Sequence, residues 1–252
     1  MNRMKVLPFF VLLAIRCICQ PEKDIVLVNV GNLDRAGIAR EVLILDSLDP
    51  RAIAIDIQFS SSHYDERDAK LSSALLKCKN LIMASLIKNV GEKIMVFPGS
   101  RPEFHSPHRK TGFINTVLEN DGRRTLKRFT VWEEESFVTR SIGKRWIEYH
   151  FAVRTAMVSD SLKAMRFVKN HPKIVDVDYK GGKRKFKKYS TEEVLGGKLT
   201  RKEIEGKIVI LSFFGPGNED KFFTPLNTNP KEPDMYGGEY LAHIVAQVLE
   251  SE

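Results

Sequence analysis

Short apolar segments that alternate with amphipathic stretches constrain the fold of this chain most strongly. Residues 24–31, 52–57 and 81–86 are dominated by valine, isoleucine, leucine and alanine, which is typical of strands buried on both faces. Between them, apolar residues recur at helical spacing, so we predict two successive β-α-β units with parallel strands. Two crossovers in succession indicate an α/β layered sheet.

A fourth buried strand ends in a loop rich in glycine and proline. The apolar run at residues 208–211 predicts a strand in the middle of the sheet, and Gly215, Pro216 and Gly217 then force a turn. Ligands of open α/β sheets usually bind at the loops beyond the carboxyl ends of the strands. This loop is therefore the first place where we look for function.

The remaining segments predict hairpins and short helices around that sheet. We expect one antiparallel hairpin from residues 112–117 and 126–133, and a second from residues 174–179 and 183–189, joined at Gly181 and Gly182. Residues 89–110 lack a clear period and predict a long excursion, whereas residues 136–171 favour helix. Short capped helices are expected at residues 191–195 and 200–204, and a final helix at residues 239–250. The predicted fold class is therefore α/β, a mostly parallel layered sheet with flanking helices and added antiparallel hairpins.

The N-terminal 20 residues predict export. Arg3 and Lys5 precede a short apolar run, which is the pattern of a secretory leader and is shorter than the ~20 residues that span a bilayer. A buried N-terminal helix is the alternative, but Pro8 and Arg16 interrupt it. We predict a signal peptide or signal anchor at residues 1–20, one domain at residues 21–252, and an extracytoplasmic location in the periplasm or on the outer face of the inner membrane. Only Cys78 lies beyond the leader, so no internal disulfide is expected.

The chain is basic, and part of its positive charge is concentrated in one segment. The formal net charge is +8, which favours acidic partners but says little about fold. Six basic residues crowd the predicted Gly181-Gly182 hairpin: Lys180, Lys183, Arg184, Lys185, Lys187 and Lys188. They predict either a solvated hairpin or a surface for anionic lipid head groups or an acidic partner protein. Nucleic acid is not expected as a partner, because an exported protein seldom meets it.

Two aspartates follow strands and are the leading candidates for a site. Asp56 lies at the end of the second strand and Asp220 in the loop after the fourth, so both could face one crevice. With Asp68, Glu219, Lys221 and Thr224 they could form a polar pocket for a small-molecule ligand or a cation such as Ca²⁺ or Mg²⁺. In the structural alternative, Asp56 caps a helix or accepts backbone amides, and Asp220 pairs with Lys221.

Catalysis is not expected. A phosphohydrolase with a strand-end aspartate nucleophile commonly has a second aspartate two residues later, but Gln58 occupies that position. The sequence has no phosphate-binding glycine loop and no Gly-x-Ser-x-Gly motif, and its six histidines lack zinc spacing. We predict no catalytic residue, no metal site and no cofactor. The alternatives are a Rossmann-like hydrolase that uses Asp56 and a structural envelope protein.

Several motifs in order resemble the CHASE domain of type two, a sensory domain found on the outer side of bacterial cyclases, histidine kinases and related receptors. The similar segments are DIVLVNVGNLDR at the start, AIAIDIQFS, NLIMASLI, GFIN, the strand GKIV, EDKFFTPLN, and PDMYG near the end. The variant is most similar to the form found in Bacteroidetes-type bacteria. The resemblance covers nearly all of residues 24–249.

The resemblance implies an extracytoplasmic sensory or ligand-recognition domain of bacterial signal transduction. Members usually have an Ile-His-Ala sequence after the last glycine, whereas this chain has Tyr240, Leu241 and Ala242, with a histidine only at His243. Members are also commonly followed by transmembrane helices and an output domain, and this sequence ends at Glu252. We therefore expect a sensor without its own output domain, whose partner is a membrane or periplasmic signalling protein.

Overall fold

The computed structural model describes residues 21–105, 109–135, 146–179 and 182–251. The strands are β1 Ile25–Asn29, β2 Ala52–Ile55, β3 Leu81–Val90, β4 Lys93–Pro98, β5 Lys110–Phe113, β6 Val117–Leu118, β7 Leu126–Thr130, β8 Trp132–Glu135, β9 Trp146–Tyr149, β10 Ile174–Asp176, β11 Lys187–Tyr189, β12 Ile208–Ser212, β13 Lys221–Phe222 and β14 Met235–Tyr236. The helices are α1 Arg35–Ser47, α2 Glu66–Lys77, α3 Phe151–Ser159, α4 Ser161–Asn170, α5 Thr191–Leu195, α6 Arg201–Ile204 and α7 Gly237–Glu250.

A mostly parallel sheet forms the centre of the molecule. Its strand order is β11-β1-β12-β2-β3-β4, and β5 pairs with the first half of β3. Only β4 is antiparallel to its neighbour. As predicted, the strand that follows α6 lies inside the sheet, because β12 pairs with β1 on one side and with β2 on the other. The predicted α/β class is confirmed.

Helices cover both faces of this sheet. Side chains alternate between the two faces along each strand, so each strand contributes residues to both hydrophobic cores. In β1, Val26 and Val28 join the cluster under α1 and α2, whereas Ile25 and Leu27 join the cluster under α3 and α7. All four side chains are fully buried. Burial of one aliphatic side chain contributes about 1.5–3 kcal/mol to the free energy of folding, so strands with two buried faces stabilise the packing of all three layers. Cys78 is buried and free.

Two predicted segments differ from the structure within the first half of the chain. The predicted excursion at residues 89–110 contains the end of β3 and all of β4, which pair as an antiparallel hairpin. Gly91 makes the turn with a φ of 61°, a conformation that glycine adopts without strain. Polar residues flank Lys93–Pro98 in the sequence, so the apolar residues of this segment do not by themselves indicate a strand. The predicted hairpin of residues 112–117 with 126–133 is confirmed only in part, because just the two residues of β6 pair antiparallel with β7. Gly112 and Phe113 belong to β5 in the central sheet, and Trp132 and Glu133 belong to β8.

The other differences lie in the second half of the chain. Residues 136–171 are predicted to be mainly helical, and α3 and α4 confirm this for most of residues 151–170. Trp146–Tyr149 instead forms β9 opposite β8, because aromatic and β-branched residues favour strands. Residues 136–145 lie outside the described residues. The predicted hairpin of residues 174–179 with 183–189 is wrong. β10 pairs with β7 in a small sheet, whereas β11 pairs in parallel with β1 at the edge of the central sheet. Gly181 lies outside the described residues.

Helix ends follow the expected capping chemistry. The Ser190 hydroxyl accepts the Glu193 backbone N–H, and the Glu193 carboxylate accepts the Ser190 N–H, so α5 starts with a capping box. Within the described residues, no helix has both the length and the apolar composition that a bilayer crossing requires. The predicted leader at residues 1–20 lies outside the described residues.

Candidate functional site

Three neighbouring strands end together at one edge of the central sheet. β1, β12 and β2 are adjacent, and their last positions bring Asn29, Ser212 and Asp56 side by side. The Asp56 N–H donates to the Leu211 carbonyl at 2.9 Å, so the ladder holds the backbone of Asp56 in place. The Ser212 hydroxyl donates to a carboxylate oxygen of Asp56 at 3.0 Å. The predicted placement of Asp56 at the carboxyl edge is therefore seen in the structure.

Asn29 holds the loop that leaves β12. Its side-chain oxygen accepts the backbone N–H groups of Gly31 and Phe214, both at 2.9 Å. The same side chain donates from its nitrogen to the Phe214 carbonyl at 3.4 Å. Asn29 therefore fixes the start of the loop that carries Asp220.

A short ribbon brings Asp220 back to this edge. β13 follows Asp220 directly and pairs with β14, which leads into α7. The Gly237 N–H donates to the Asp220 backbone carbonyl at 2.9 Å. Asp220 consequently lies at the N-terminus of α7, where the helix dipole favours negative charge.

Two glycines let the first turn of α7 approach the site closely. A Cβ atom at Gly237 would lie 3.0 Å from both carboxylate oxygens of Asp220. A Cβ atom at Gly238 would lie 2.6 Å from the Ser212 Cβ and 2.8 Å from its hydroxyl oxygen. Larger residues would push the helix away from the site, so these glycines define the distance between α7 and β12.

The pKa values of Asp56 and Asp220 are both higher than is usual for an aspartate. Burial raises the pKa of Asp56 to about 7, repulsion by Asp220 adds to the rise, and the hydrogen bond from Ser212 opposes it. Burial also raises the pKa of Asp220 to about 6 against the effect of the Gly237 N–H. We call Asp56 and Asp220 the carboxyl pair. The structure brings these two predicted residues together at one edge of the sheet, close enough for the charge of Asp220 to raise the pKa of Asp56.

Asp68 belongs to a different network. It forms an ion pair with Arg35, and its carboxylate also accepts the Ser62 hydroxyl and the backbone N–H groups of His63 and Tyr64. The Arg35 guanidinium donates to the Ser61 carbonyl and lies over the Phe104 ring. These bonds hold the loop between β2 and α2, and they keep the pKa of Asp68 well below its usual range.

Two of the remaining predicted site residues, Thr224 and Lys221, make contacts close to them in the chain. The Thr224 hydroxyl donates to Asp234 at 2.7 Å, and its backbone N–H donates to the same carboxylate at 2.9 Å. The Lys221 ammonium lies 4.7 Å from the centre of the Tyr236 ring. Glu219 is exposed. Thr224 thus stabilises the loop after β13, while Lys221 lies next to the carboxyl pair in sequence and packs on β14.

A cavity of about 270 Å³ opens beside the end of β2. It is lined by the residues that follow Asp56, namely Ile57, Gln58 and Phe59, and by residues at the start of α1 and α2. Its basic side chains, Arg35 and Arg67, are already paired with Asp68 and Asp65. Within the described ranges, no group of three or more histidine, cysteine or acidic residues could hold a metal ion.

Comparison with known proteins gives one match. The family described as CHASE2 domain matches residues 14–252, nearly the whole chain. The chain belongs to the CHASE2 domain family. The resemblance seen in the sequence is thereby confirmed, and with it the class of extracellular sensory domain in signalling proteins. No curated protein and no solved structure gives a significant match.

In this CHASE2 domain four of the basic side chains in the segment 180–188 pair with acids of the same chain, while Lys180 lies outside the described residues. Lys183 and Lys188 both pair with Glu239 at the start of α7, at 3.0 and 2.7 Å. Arg184 pairs with Glu250 and Glu22. Lys187 pairs with Glu203 at 2.8 Å. These contacts favour a structural role for the segment over binding of an anionic surface.

Sequence reasoning missed three groups at the site of the CHASE2 domain. Asn29 and Ser212 each follow an apolar run at the end of a strand. Because ligands of open α/β sheets bind at the carboxyl ends of the strands, both residues could have been predicted from the sequence. Gly237 carries no such signal, because its closeness to Asp220 depends on the pairing of β13 with β14. Only the folded chain shows that the start of α7 belongs to the site.

Proposed function

We propose that this CHASE2 domain recognises a small-molecule ligand at the carboxyl edge of its central sheet, and that the carboxyl pair is the centre of the site. The observation that carries the proposal is the convergence of Asp56, Ser212 and Asp220 at the ends of adjacent strands and the start of α7. Ligands of open α/β sheets bind at this edge.

The ligand class follows from the charges. Both members of the carboxyl pair are partly exposed, and neither forms an ion pair with a described basic residue. Two ammonium groups lie over the Tyr236 ring, Lys221 at 4.7 Å and Lys188 at 5.6 Å from its centre, and Lys188 is paired with Glu239. A ligand with hydrogen-bond donors or a positive charge would relieve the repulsion within the carboxyl pair.

The response is a shift between two arrangements of α7. Gly237 lies against the Asp220 carboxylate, and Gly238 lies against Ser212, so a ligand that moves either group changes the position of the helix start. Such a ligand favours whichever arrangement it binds better. A membrane or periplasmic signalling protein then detects that arrangement.

A thermal-shift screen of small metabolites tests the proposal. We expect compounds that raise the melting temperature of the wild-type protein to lose that effect in Asp56→Asn/Asp220→Asn. Asp24→Asn is the matched control, because it removes an exposed carboxylate just before β1, at the opposite edge of the sheet. Compounds that stabilise all three proteins equally would place the ligand elsewhere and contradict the proposed site.

We further propose that the domain acts by binding and not by catalysis. The residue two positions after Asp56 is Gln58, whose side chain is exposed and lines the neighbouring cavity. Hydrolysis of a phosphate ester or an acyl ester that disappears in Asp56→Asn would overturn this and support the Rossmann-like hydrolase. Equal background rates in both proteins would support binding.

We propose that residues 1–20 export the chain and that residues 21–252 act as one extracytoplasmic domain. The CHASE2 assignment supports this, because the family comprises extracellular sensory domains. A reporter enzyme that is active only outside the cytoplasm, fused after Glu252, should be active with residues 1–20 present and inactive without them. Activity without them would contradict the proposed role of this segment.

A further inference from the structure

Helix α4 presents apolar side chains to solvent. Its inner side buries Ala164 and Phe167. On the opposite side, Leu162 is 78% exposed and Met165 is 46% exposed. With 3.6 residues per turn, Leu162, Met165, Arg166 and Lys169 share one stripe that points away from the core. An outward stripe of this kind has no role in the packing of the domain.

The positive charges of this helix are unpaired. Lys163, Arg166 and Lys169 form no ion pair with any residue in the described part of the chain. The sequence has no acidic residue from Ser161 to Lys173, and the nearest acid, Asp160, accepts the Lys163 backbone N–H as the N-cap. In contrast, Lys183, Arg184, Lys187 and Lys188 each form an ion pair with an acidic side chain of the domain.

We infer that the outer face of α4 docks on an anionic phospholipid surface. Apolar side chains that protrude among cations are the pattern of helices that lie in the head-group region. The cations attract the anionic head groups, and Leu162 and Met165 insert beside the acyl chains. A nucleic acid or an acidic protein would need the cations but would gain little from an exposed leucine. This inference is independent of the ligand proposed for the carboxyl pair.

The cations and the apolar side chains of α4 each contribute a part of the expected membrane affinity. Each lysine or arginine near an anionic membrane contributes about fivefold in partitioning. Removal of the three cations should therefore weaken binding by roughly 100-fold. Removal of Leu162 and Met165 should weaken binding by at least about tenfold, because their apolar area then stays in water.

The test is co-sedimentation of the full chain with vesicles of phosphatidylcholine alone or with 30% phosphatidylglycerol, a composition chosen for the experiment. The variants are Lys163→Gln/Arg166→Gln/Lys169→Gln and Leu162→Ser/Met165→Ser. The control is Arg123→Gln/Arg124→Gln/Lys127→Gln, which removes the same charge from exposed positions without exposed large apolar neighbours. Every protein keeps residues 1–20, so the contribution of that segment is common to all.

The inference predicts that the wild-type chain and the control triple variant bind phosphatidylglycerol vesicles alike, and that both α4 variants lose binding. Since all substitutions are at the surface, unchanged thermal melting curves will show that each variant is folded. Equal loss in the control triple variant would show non-specific attraction and overturn the inference. Full binding by Leu162→Ser/Met165→Ser would overturn it too, because charge alone also suits a nucleic acid or an acidic protein.

Discussion

At the scale of single residues, the carboxyl pair makes stability depend on pH near neutrality. The raised pKa values of Asp56 and Asp220 mean that the folded state binds more protons than the unfolded state between about pH 4 and pH 7. Stability from this source is complete below the unfolded pKa and is lost as the pH rises through the folded values. We expect the wild-type chain to be more stable at pH 5 than at pH 8 in urea unfolding.

The substitution Asp220→Asn isolates this effect. It removes the repulsion felt by Asp56 and should raise the free energy of unfolding at pH 8 by about 1 kcal/mol, with a smaller gain at pH 5. Asp24→Asn is again the control, and we expect no comparable change. An equal gain at both pH values would show that the two carboxyl groups do not interact.

A second buried acid offers an independent prediction. Glu41 on α1 is fully buried, and both carboxylate oxygens lack a hydrogen-bond partner among the described residues. Burial and the nearby charge of Glu192 raise its pKa to about 8. Stability from the protonated form is lost as the pH rises from about 4.5 through about 8. Glu41→Leu should therefore raise the free energy of unfolding at pH 8 by about 1–3 kcal/mol, and the gain should shrink at pH 5 in the same urea titration.

At the scale of elements, the first turn of α7 depends on its glycines. Gly238→Ala would place a Cβ atom 2.6 Å from the Ser212 Cβ, so helix or strand must move. We expect a loss of about 1–3 kcal/mol of stability. In Gly237→Ala the three atoms nearest to the new Cβ belong to the Asp220 carboxyl group, at 3.0–3.3 Å, so the cost should be smaller and the titration of the carboxyl pair should change. Chemical unfolding and carboxyl NMR distinguish the two; a larger loss from Gly237→Ala would contradict this packing.

The elements differ in how well the sequence predicts them. The central strands are predicted because burial on both faces leaves an unbroken apolar run, as in β2 and β12. β4 and β11 are short edge strands with polar or half-buried residues, so their pairing depends on the rest of the sheet. Strand ends likewise predict Asp56, whereas the partnership of Asp68 with Arg35 depends on the position of α1 against α2.

At the scale of the whole molecule, Arg184 ties both ends of the described chain to one point. Its guanidinium pairs with Glu22 before β1 and with Glu250 at the end of α7, and its backbone N–H donates to His243 at 3.3 Å. α7 spans about 21 Å, so it joins this point to the carboxyl pair at the opposite end of the helix.

The substitution Arg184→Gln tests this arrangement. It should lower the free energy of unfolding by about 1–2 kcal/mol, because a half-buried cation with two partners is lost. Hydrogen exchange at residues 21–29 should become faster. Lys187→Gln is the control, since it removes the same charge from an exposed side chain whose contacts, with Glu203 and the Tyr189 ring, do not involve Glu22 or Glu250. Unchanged exchange in Arg184→Gln would show that Glu22 is held by other contacts.

Carbon NMR titration of the aspartate carboxyl groups tests most directly that Asp56 and Asp220 form one site. The structure predicts two titration steps near pH 6 and pH 7 that belong to the pair, and a lower pKa for Asp56 in Asp220→Asn. If both groups instead titrate near pH 4, and Asp56 is unaffected by Asp220→Asn, the two strand ends do not share a site and the proposed recognition centre is wrong.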